Sequence, residues 1–226
     1  MFNKVKEFFE LLFVGVVNMV YNLFLSLYEN ILFARNKWWR QLRWEFARNY
    51  LLAQIKNIVS TESSEFNYAE DNFIYGETPC ITVKQMLDNL DVEPGDLFVD
   101  LGSGRGLTVF YAHFLKKLQA HGYELLPSFI RKARNIKNNL GIKDVKFFQK
   151  DFLYANLKEA RVVYIAGTTF DEELTGKLIK LLKSAKKGTY IITLSYPLPE
   201  KNFILFREQV LLFSWGKTHV YYHKKR

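Results

Sequence analysis

Two rhythms of apolar residues run along this chain. From about residue 80 onward, short β-like apolar runs alternate with longer stretches in which apolar residues recur every three or four positions. The short runs predict strands at 97–101, 119–123, 145–149, 162–166, 189–194, 210–214 and 218–222. The longer ones predict helices at 82–90, 107–118, 127–140 and 171–184, with a further one at 200–206. Alternation of this kind implies an α/β fold whose mostly parallel sheet carries helices on both faces. The last two strands have no helix between them, so they are expected to form a C-terminal antiparallel hairpin through Trp215, Gly216 and Lys217.

The N-terminal pattern differs. Residues 11–28 carry no charge, and residues 31–34 prolong the apolar character. That length is near the lower limit for a membrane span. Asn18, Asn22 and Ser26 recur every four positions, on one stripe of a helix. Such a helix can cross a bilayer in a pair, lie in its interface, or pack on a globular domain. The sequence that follows favours membrane contact through residues 11–44, because Arg35, Lys37, Arg40 and Arg43 interleave with Trp38, Trp39 and Trp44, a mixture suited to the headgroup layer. The positive-inside rule then puts the rest of the chain on the cytoplasmic or equivalent side. A helix packed on a cytoplasmic protein is the alternative. A cleaved secretory signal fits less well, since the run is long and lacks a small-x-small cleavage site. The expected organisation is a hydrophobic or amphipathic helical segment at 1–50, a helical lead-in and polar linker at 51–72, and a domain at 73–226.

Composition narrows the chemistry. The single cysteine, Cys80, excludes an internal disulfide and any multi-cysteine zinc site, and the four scattered histidines have no metal-ligand spacing. No metal is expected. The net charge of +9 is uneven: residues 1–50 carry 7 basic against 4 acidic side chains, residues 51–94 carry 2 against 8, and residues 95–226 carry 23 against 11. A basic surface suits nucleic acid, anionic lipid or an acidic protein, and charge alone does not choose among them.

Candidate chemistry gathers at predicted strand ends. Asp100 lies near the end of the first strand, and Gly102, Gly104 and Gly106 punctuate the turn before the next helix. Glycines serve where a ligand approaches backbone or φ is positive. Glu124 ends the second strand, placed to accept the hydroxyl protons of a ribose. Asp151 and Phe152 follow the third strand, where a carboxylate can receive an adenine amino group and a ring can lie beside the base. Three carboxylates at successive strand ends put an adenosine and an amino acid in one crevice. The GxGxG spacing departs from the GxGxxG fingerprint for a dinucleotide pyrophosphate, which favours S-adenosyl-L-methionine over a nicotinamide cofactor.

At this level the chain resembles a known family. Residues 74–90 (IYGETPCITVKQMLDNL) and 96–106 (DLFVDLGSGRG) are similar to the disruptor-of-telomeric-silencing class of histone lysine methyltransferases. These enzymes lack a SET domain and use the Rossmann-like seven-strand methyltransferase fold. The resemblance continues through Gly122-Tyr123-Glu124, Asp151-Phe152-Leu153, residues 162–174 and the segments around Trp215 and Tyr221. It implies that Tyr75, Glu77 and Thr78 belong to a loop that closes over the methionine part of the cofactor. It further implies that Asp100 receives the amine, Glu124 the ribose, and Asp151 with Phe152 the adenine. Trp215 and Tyr221 match aromatic residues of the acceptor-lysine channel, and Thr168 is a third candidate there. One departure stands out: where the histone enzymes have two asparagines, this chain has Ala166-Gly167-Thr168-Thr169-Phe170. Compact archaeal and mitochondrial protein-lysine methyltransferases are similar in the core, so the implied partner is a protein with an accessible lysine rather than a histone in particular.

Methyl transfer to lysine needs a neutral amine, which an aromatic channel of low polarity favours without a dedicated base. No Asp/His or Glu/His pair is expected to act as one. The rival readings are methylation of a membrane-borne small molecule or RNA, with nucleic acid disfavoured by the absence of an Asn-Pro-Pro-Tyr type loop, and a non-catalytic cofactor-binding membrane adaptor.

Overall fold

The computed structural model describes residues 2–51, 55–64, 66, 76–167 and 170–226. The chain divides into two compact units, Met1–Gln41 and Leu42–Arg226. In the first, helix α1 (Phe2–Phe33) is long and apolar enough to cross a membrane over Leu12–Phe33, and most of that span is exposed. Its polar stripe bonds along the helix, Asn22 Nδ2 donating to Asn18 O at 2.9 Å. At its end Trp39 Nε1 donates to Asn30 Oδ1 at 3.0 Å, and the Phe33 and Trp39 rings lie 5.2 Å apart.

Helix α2 (Lys37–Tyr50) continues into the second unit, where α3 (Ile55–Ser63) and α4 (Cys80–Asp88) follow. The remaining elements alternate: β1 (Leu97–Leu101), α5 (Leu107–Lys116), β2 (Gln119–Glu124), α6 (Pro127–Asn139), β3 (Val145–Gln149), β4 (Ala160–Ile165), α7 (Glu172–Leu182), β5 (Tyr190–Leu194), β6 (Phe203–Phe213) and β7 (Gly216–Lys225). They build one seven-stranded sheet in the order β3-β2-β1-β4-β5-β7-β6. The first five strands are parallel, and β7 runs antiparallel between β5 and β6.

Burial explains the central strands. β1 reads Leu-Phe-Val-Asp-Leu and is buried from Phe98 onward, as a strand with helices on both faces must be. Val99, Leu101, Val163, Ile165 and Ile191 pack beneath Leu178 and Leu182 of α7. That helix starts where Asp171 accepts from the Leu174 N–H at 2.8 Å, with Glu172 and Glu173 in its first turn, both favourable at the positive end of the helix dipole. In α6, Pro127 opens the helix and Phe129, Ile130, Ala133 and Ile136 form the buried stripe.

Two sequence-based expectations change here. The helix expected at 200–206 is the start of β6, because its Phe-Ile-Leu-Phe run pairs with the end of β7 from Phe203↔Lys225 onward. An irregularity between Leu205 and Arg207 leaves Phe206 as the extra residue, the bulge expected on an edge strand. The hairpin turn is also tighter than expected: Phe213 pairs with Gly216, so only Ser214 and Trp215 lie between the strands.

The strand order reverses between β1 and β4. In open α/β sheets that reversal leaves a crevice at the carboxyl ends of the strands, where ligands bind.

Candidate active site

A cavity of about 390 Å3 opens at that crevice, within the size range of small-molecule sites. Glu77, Thr78, Asp100, Gly102, Gly104, Glu124, Phe152 and Trp215 line it. Thus eight of the thirteen sequence-predicted site residues share one cavity. Gly106, Asp151 and Tyr221 do not line it. Tyr75 and Thr168 lie outside the described residues.

Asp100 is the most deeply buried of the cavity's acidic residues. It is 2% exposed, and Oδ2 accepts from the Thr108 hydroxyl in the first turn of α5. Its other oxygen, Oδ1, is buried with no hydrogen-bond partner among the described residues. Burial pushes the carboxyl up to about 7; the Thr108 bond opposes this and the nearby Glu124 charge adds to it. A buried acceptor without a donor is destabilising. Asp100 lines the cavity, and a cationic donor bound there would complete the pairing.

The glycine turn is tied to β2. Gly102 N–H and Ser103 N–H both donate to Tyr123 O, at 3.0 and 2.9 Å, and Gly104 N–H donates to Glu124 Oε2 at 2.8 Å. Glu124 Oε1 accepts from Leu125 and Leu126 N–H at 2.8 and 3.0 Å. Burial raises its carboxyl, and these three N–H bonds oppose the rise. A carboxylate offers about four acceptor sites, so further acceptance remains open to Glu124.

Residues 76–79 are held from several sides. Glu77 N–H donates to Ser214 Oγ at 2.8 Å, and Glu77 O accepts from Ser214 N–H at 3.1 Å, which joins this segment to the β6–β7 turn. The Trp215 ring sits on Gly76, where a Cβ would meet its Cε3 at 2.3 Å. Trp215 is oriented by donating from Nε1 to Thr218 Oγ1 at 2.8 Å and by stacking on Phe213. Thr78 Oγ1 and the Tyr164 hydroxyl lie 2.6 Å apart. The Glu77 carboxylate pairs with Arg105.

The Phe152 and Phe170 rings, which also line the cavity, stack at 5.5 Å. A Cβ on Gly167 would lie 2.2 Å from the Phe170 ring. The side chain missing at Gly167 therefore makes room for Phe170. Asp151 Oδ1 accepts from Leu153 N–H at 2.8 Å and caps the short 3-10 turn Phe152–Tyr154. Tyr221 is half-buried on β7, its ring stacked on His219 at 6.2 Å.

Three cavity residues escape a reading of the sequence. Tyr164 carries a signal, a hydroxyl in the otherwise apolar Val-Val-Tyr-Ile strand; burial raises its phenol above the ordinary range. Arg105 is a charged residue inside a glycine turn. Thr108 looks like any first-turn hydroxyl until its bond to Asp100 is seen.

Sheet order, the antiparallel final hairpin and the crevice at the β1–β4 reversal define the seven-strand, Rossmann-like methyltransferase fold. An RNA methyltransferase from Salinibacter ruber, solved in complex with S-adenosyl-L-homocysteine, shares it at 29% identity, with 66% of this chain and 93% of that one covered and a TM-score of 0.56. A geranyl diphosphate methyltransferase shares the fold alone, at 14% identity and a TM-score of 0.55, with 66% of this chain and 78% of that one covered.

Within this fold the chain belongs to the DOT1 family: the profile described as "Histone methylation protein DOT1" matches residues 56–219. This agrees with the resemblance carried by the YGET and DLGSGRG segments. The H3 lysine-79-specific histone-lysine N-methyltransferase of Caenorhabditis elegans is 32% identical over 59% of this chain and 16% of its own length. That of Yarrowia lipolytica is 28% identical over 66% of this chain and 34% of its own. The chain therefore spans about a third or less of the length of these two relatives. A lysine N-methyltransferase of Caenorhabditis elegans named for an ATP synthase subunit is 28% identical over 50% of this chain and 57% of its own length.

Proposed function

We propose that this chain is an S-adenosyl-L-methionine-dependent methyltransferase that modifies a protein lysine side chain. The observation that carries the reading is the unpartnered Asp100 Oδ1, buried at a cavity between a glycine turn and the second carboxylate, Glu124. An oxygen left without a donor suits the ammonium of the cofactor's amino acid part, with which it would form a charge-assisted hydrogen bond. Glu77 and Thr78, with Tyr75 before them, would hold the same part, and Glu124 the ribose. The open side of Gly102, where a Cβ would meet nothing within 4 Å, leaves backbone accessible to the ligand. Adenine would lie against Phe152 and Phe170, with Asp151 at its edge.

When bound, the cofactor supplies a methyl group activated by its sulfonium. The chain's own residues align the acceptor and exclude water. Trp215 and the apolar wall disfavour an ammonium and so keep the acceptor amine neutral; Thr168 and Tyr221 are proposed to lie farther along the acceptor's approach. The relatives' names span a histone and an ATP synthase subunit, and Phe170 on Gly167 alters the wall where the histone enzymes have asparagine. A non-histone protein lysine is therefore the proposed acceptor.

Membrane and soluble fractions of host cells, incubated with the chain and methyl-labelled cofactor, are expected to carry label on protein lysine. Label confined to lipid or to nucleic acid would overturn the lysine assignment, and cofactor binding without any turnover would favour an adaptor.

We also propose membrane attachment through residues 11–44, with the methyltransferase domain, proposed to span 73–226, on the cytoplasmic or equivalent side. The support is the exposed apolar surface of α1, including Phe13, Met19 and Phe24 at 67–69% exposure, and the Arg/Trp flank that follows. The expressed chain is expected to remain with membranes through alkaline carbonate extraction. Quantitative release into the supernatant would remove the integral reading.

A further inference from the structure

Arg105 has no place in the proposed chemistry, yet it reaches from the glycine turn to Glu77 and pairs with it. Its side chain is only 15% exposed, so its charge needs support from its surroundings. Part of that support comes from α2. Phe46 and Tyr50 stand one helical turn apart and stack at 5.8 Å; the Arg105 guanidinium lies 4.7 Å from the Tyr50 ring centre and 5.6 Å from that of Phe46. Phe46 also meets Phe110 of α5 edge to face at 5.8 Å, which anchors the aromatic pair to the helix that the glycine turn begins. A cation against aromatic faces is attracted to their quadrupoles, more strongly when desolvated.

The geometry points to Arg105 as a positioning residue for Glu77, seated on Phe46 and Tyr50, so that the end of α2 sets the affinity of the site for the amino acid part of its ligand. This rests on the proposal that Glu77 holds that part. Three groups act in series: the rings aim the guanidinium, the guanidinium aims the carboxylate, and the carboxylate meets the ligand. Only the ring faces of Tyr50 take part. Its hydroxyl is buried with no partner among the described residues, so phenylalanine should serve in its place.

The test uses two ligands that differ in the half Glu77 would touch. S-adenosylhomocysteine carries the amino acid; 5′-methylthioadenosine keeps the adenosine and thioether but lacks it. Calorimetry on the full chain should show Tyr50→Leu weakening S-adenosylhomocysteine about tenfold while changing methylthioadenosine less than twofold. Arg105→Met should show the same selectivity, and Tyr50→Phe should match the wild type for both. Equal weakening of both ligands by Tyr50→Leu would mean a merely structural role, and no weakening of either would mean that the seat is idle; each overturns the proposal. Failure of the wild type to bind either ligand would instead overturn the methyltransferase reading itself.

Discussion

Asp100→Asn is expected to weaken S-adenosylhomocysteine binding about 100-fold and, in the same protein, to raise the melting temperature of the ligand-free chain. Both effects follow from Oδ1. Removing the charge leaves the ligand ammonium facing a neutral amide in a buried site, and losing one member of a buried ion pair costs about 3 kcal/mol or more. Without ligand the carboxylate is itself the liability: it is 2% exposed, and its pKa is pushed up to about 7. A carboxyl raised in the folded state holds a proton that the unfolded chain has already released near pH 4. Stability therefore falls as pH rises from about 4 to about 7, then levels off. At pH 8 the asparagine variant avoids that loss, a gain of about 1–3 kcal/mol after allowing for its own imperfectly paired amide. For a chain of this size that is roughly 2–12 °C. The wild type's affinity should also decline below pH 7, where Asp100 must first lose a proton to receive a cation, and the variant's should not. Calorimetry and thermal melts from pH 5 to 8 check all three. A variant that binds within a few-fold of wild type, or one that melts lower, would remove Asp100 from the proposed role.

Asp100 is legible in the sequence because its position needs only local information. An acidic residue at the end of an apolar run, followed by closely spaced glycines, marks the carboxyl end of a strand whatever lies elsewhere. Glu124 is found in the same way, and the alternation of runs is enough to anticipate the parallel sheet. What is not legible depends on residues far apart in the chain. The start of β6 looks helical because its Phe-Ile-Leu-Phe run has no period of its own, and pairing with residues about twenty positions later decides it. Tyr221 is matched by its neighbours, but its side chain follows the register of β7 and stacks on His219 rather than lining the cavity. Asp151 has a competing local use, capping the turn that follows it. Arg105 finds Tyr50 across 55 positions, and no local pattern marks such a contact.

The glycines show how one short motif serves both stability and binding. Gly102 and Gly106 both have φ near +85°, so alanine at either position is strained by about 1 kcal/mol or more. Their surroundings then separate them. A Cβ at Gly106 would lie 2.5 Å from Cε1 and 2.8 Å from Cζ of Phe147, with Ala133 at 3.5 Å on α6. Phe147 packs against Phe110 at 5.2 Å, so its ring cannot swing aside without disturbing the interior. Overpacking of this kind adds about 1–3 kcal/mol, and Gly106→Ala is expected to lose about 3 kcal/mol in total, a drop in melting temperature of roughly 6–12 °C. At Gly102 the added methyl meets nothing within 4 Å. Gly102→Ala should therefore cost only about 1 kcal/mol of stability. Its methyl would instead occupy open space beside the cavity, where the proposed cofactor approaches backbone, and S-adenosylhomocysteine binding should weaken tenfold or more. Denaturant melts and calorimetry on the two variants give opposite orders for stability and affinity if this division holds. Equal losses of stability, or intact binding in Gly102→Ala, would mean that the turn is a structural element alone and that the ligand lies farther from it than Asp100 and Glu124 imply.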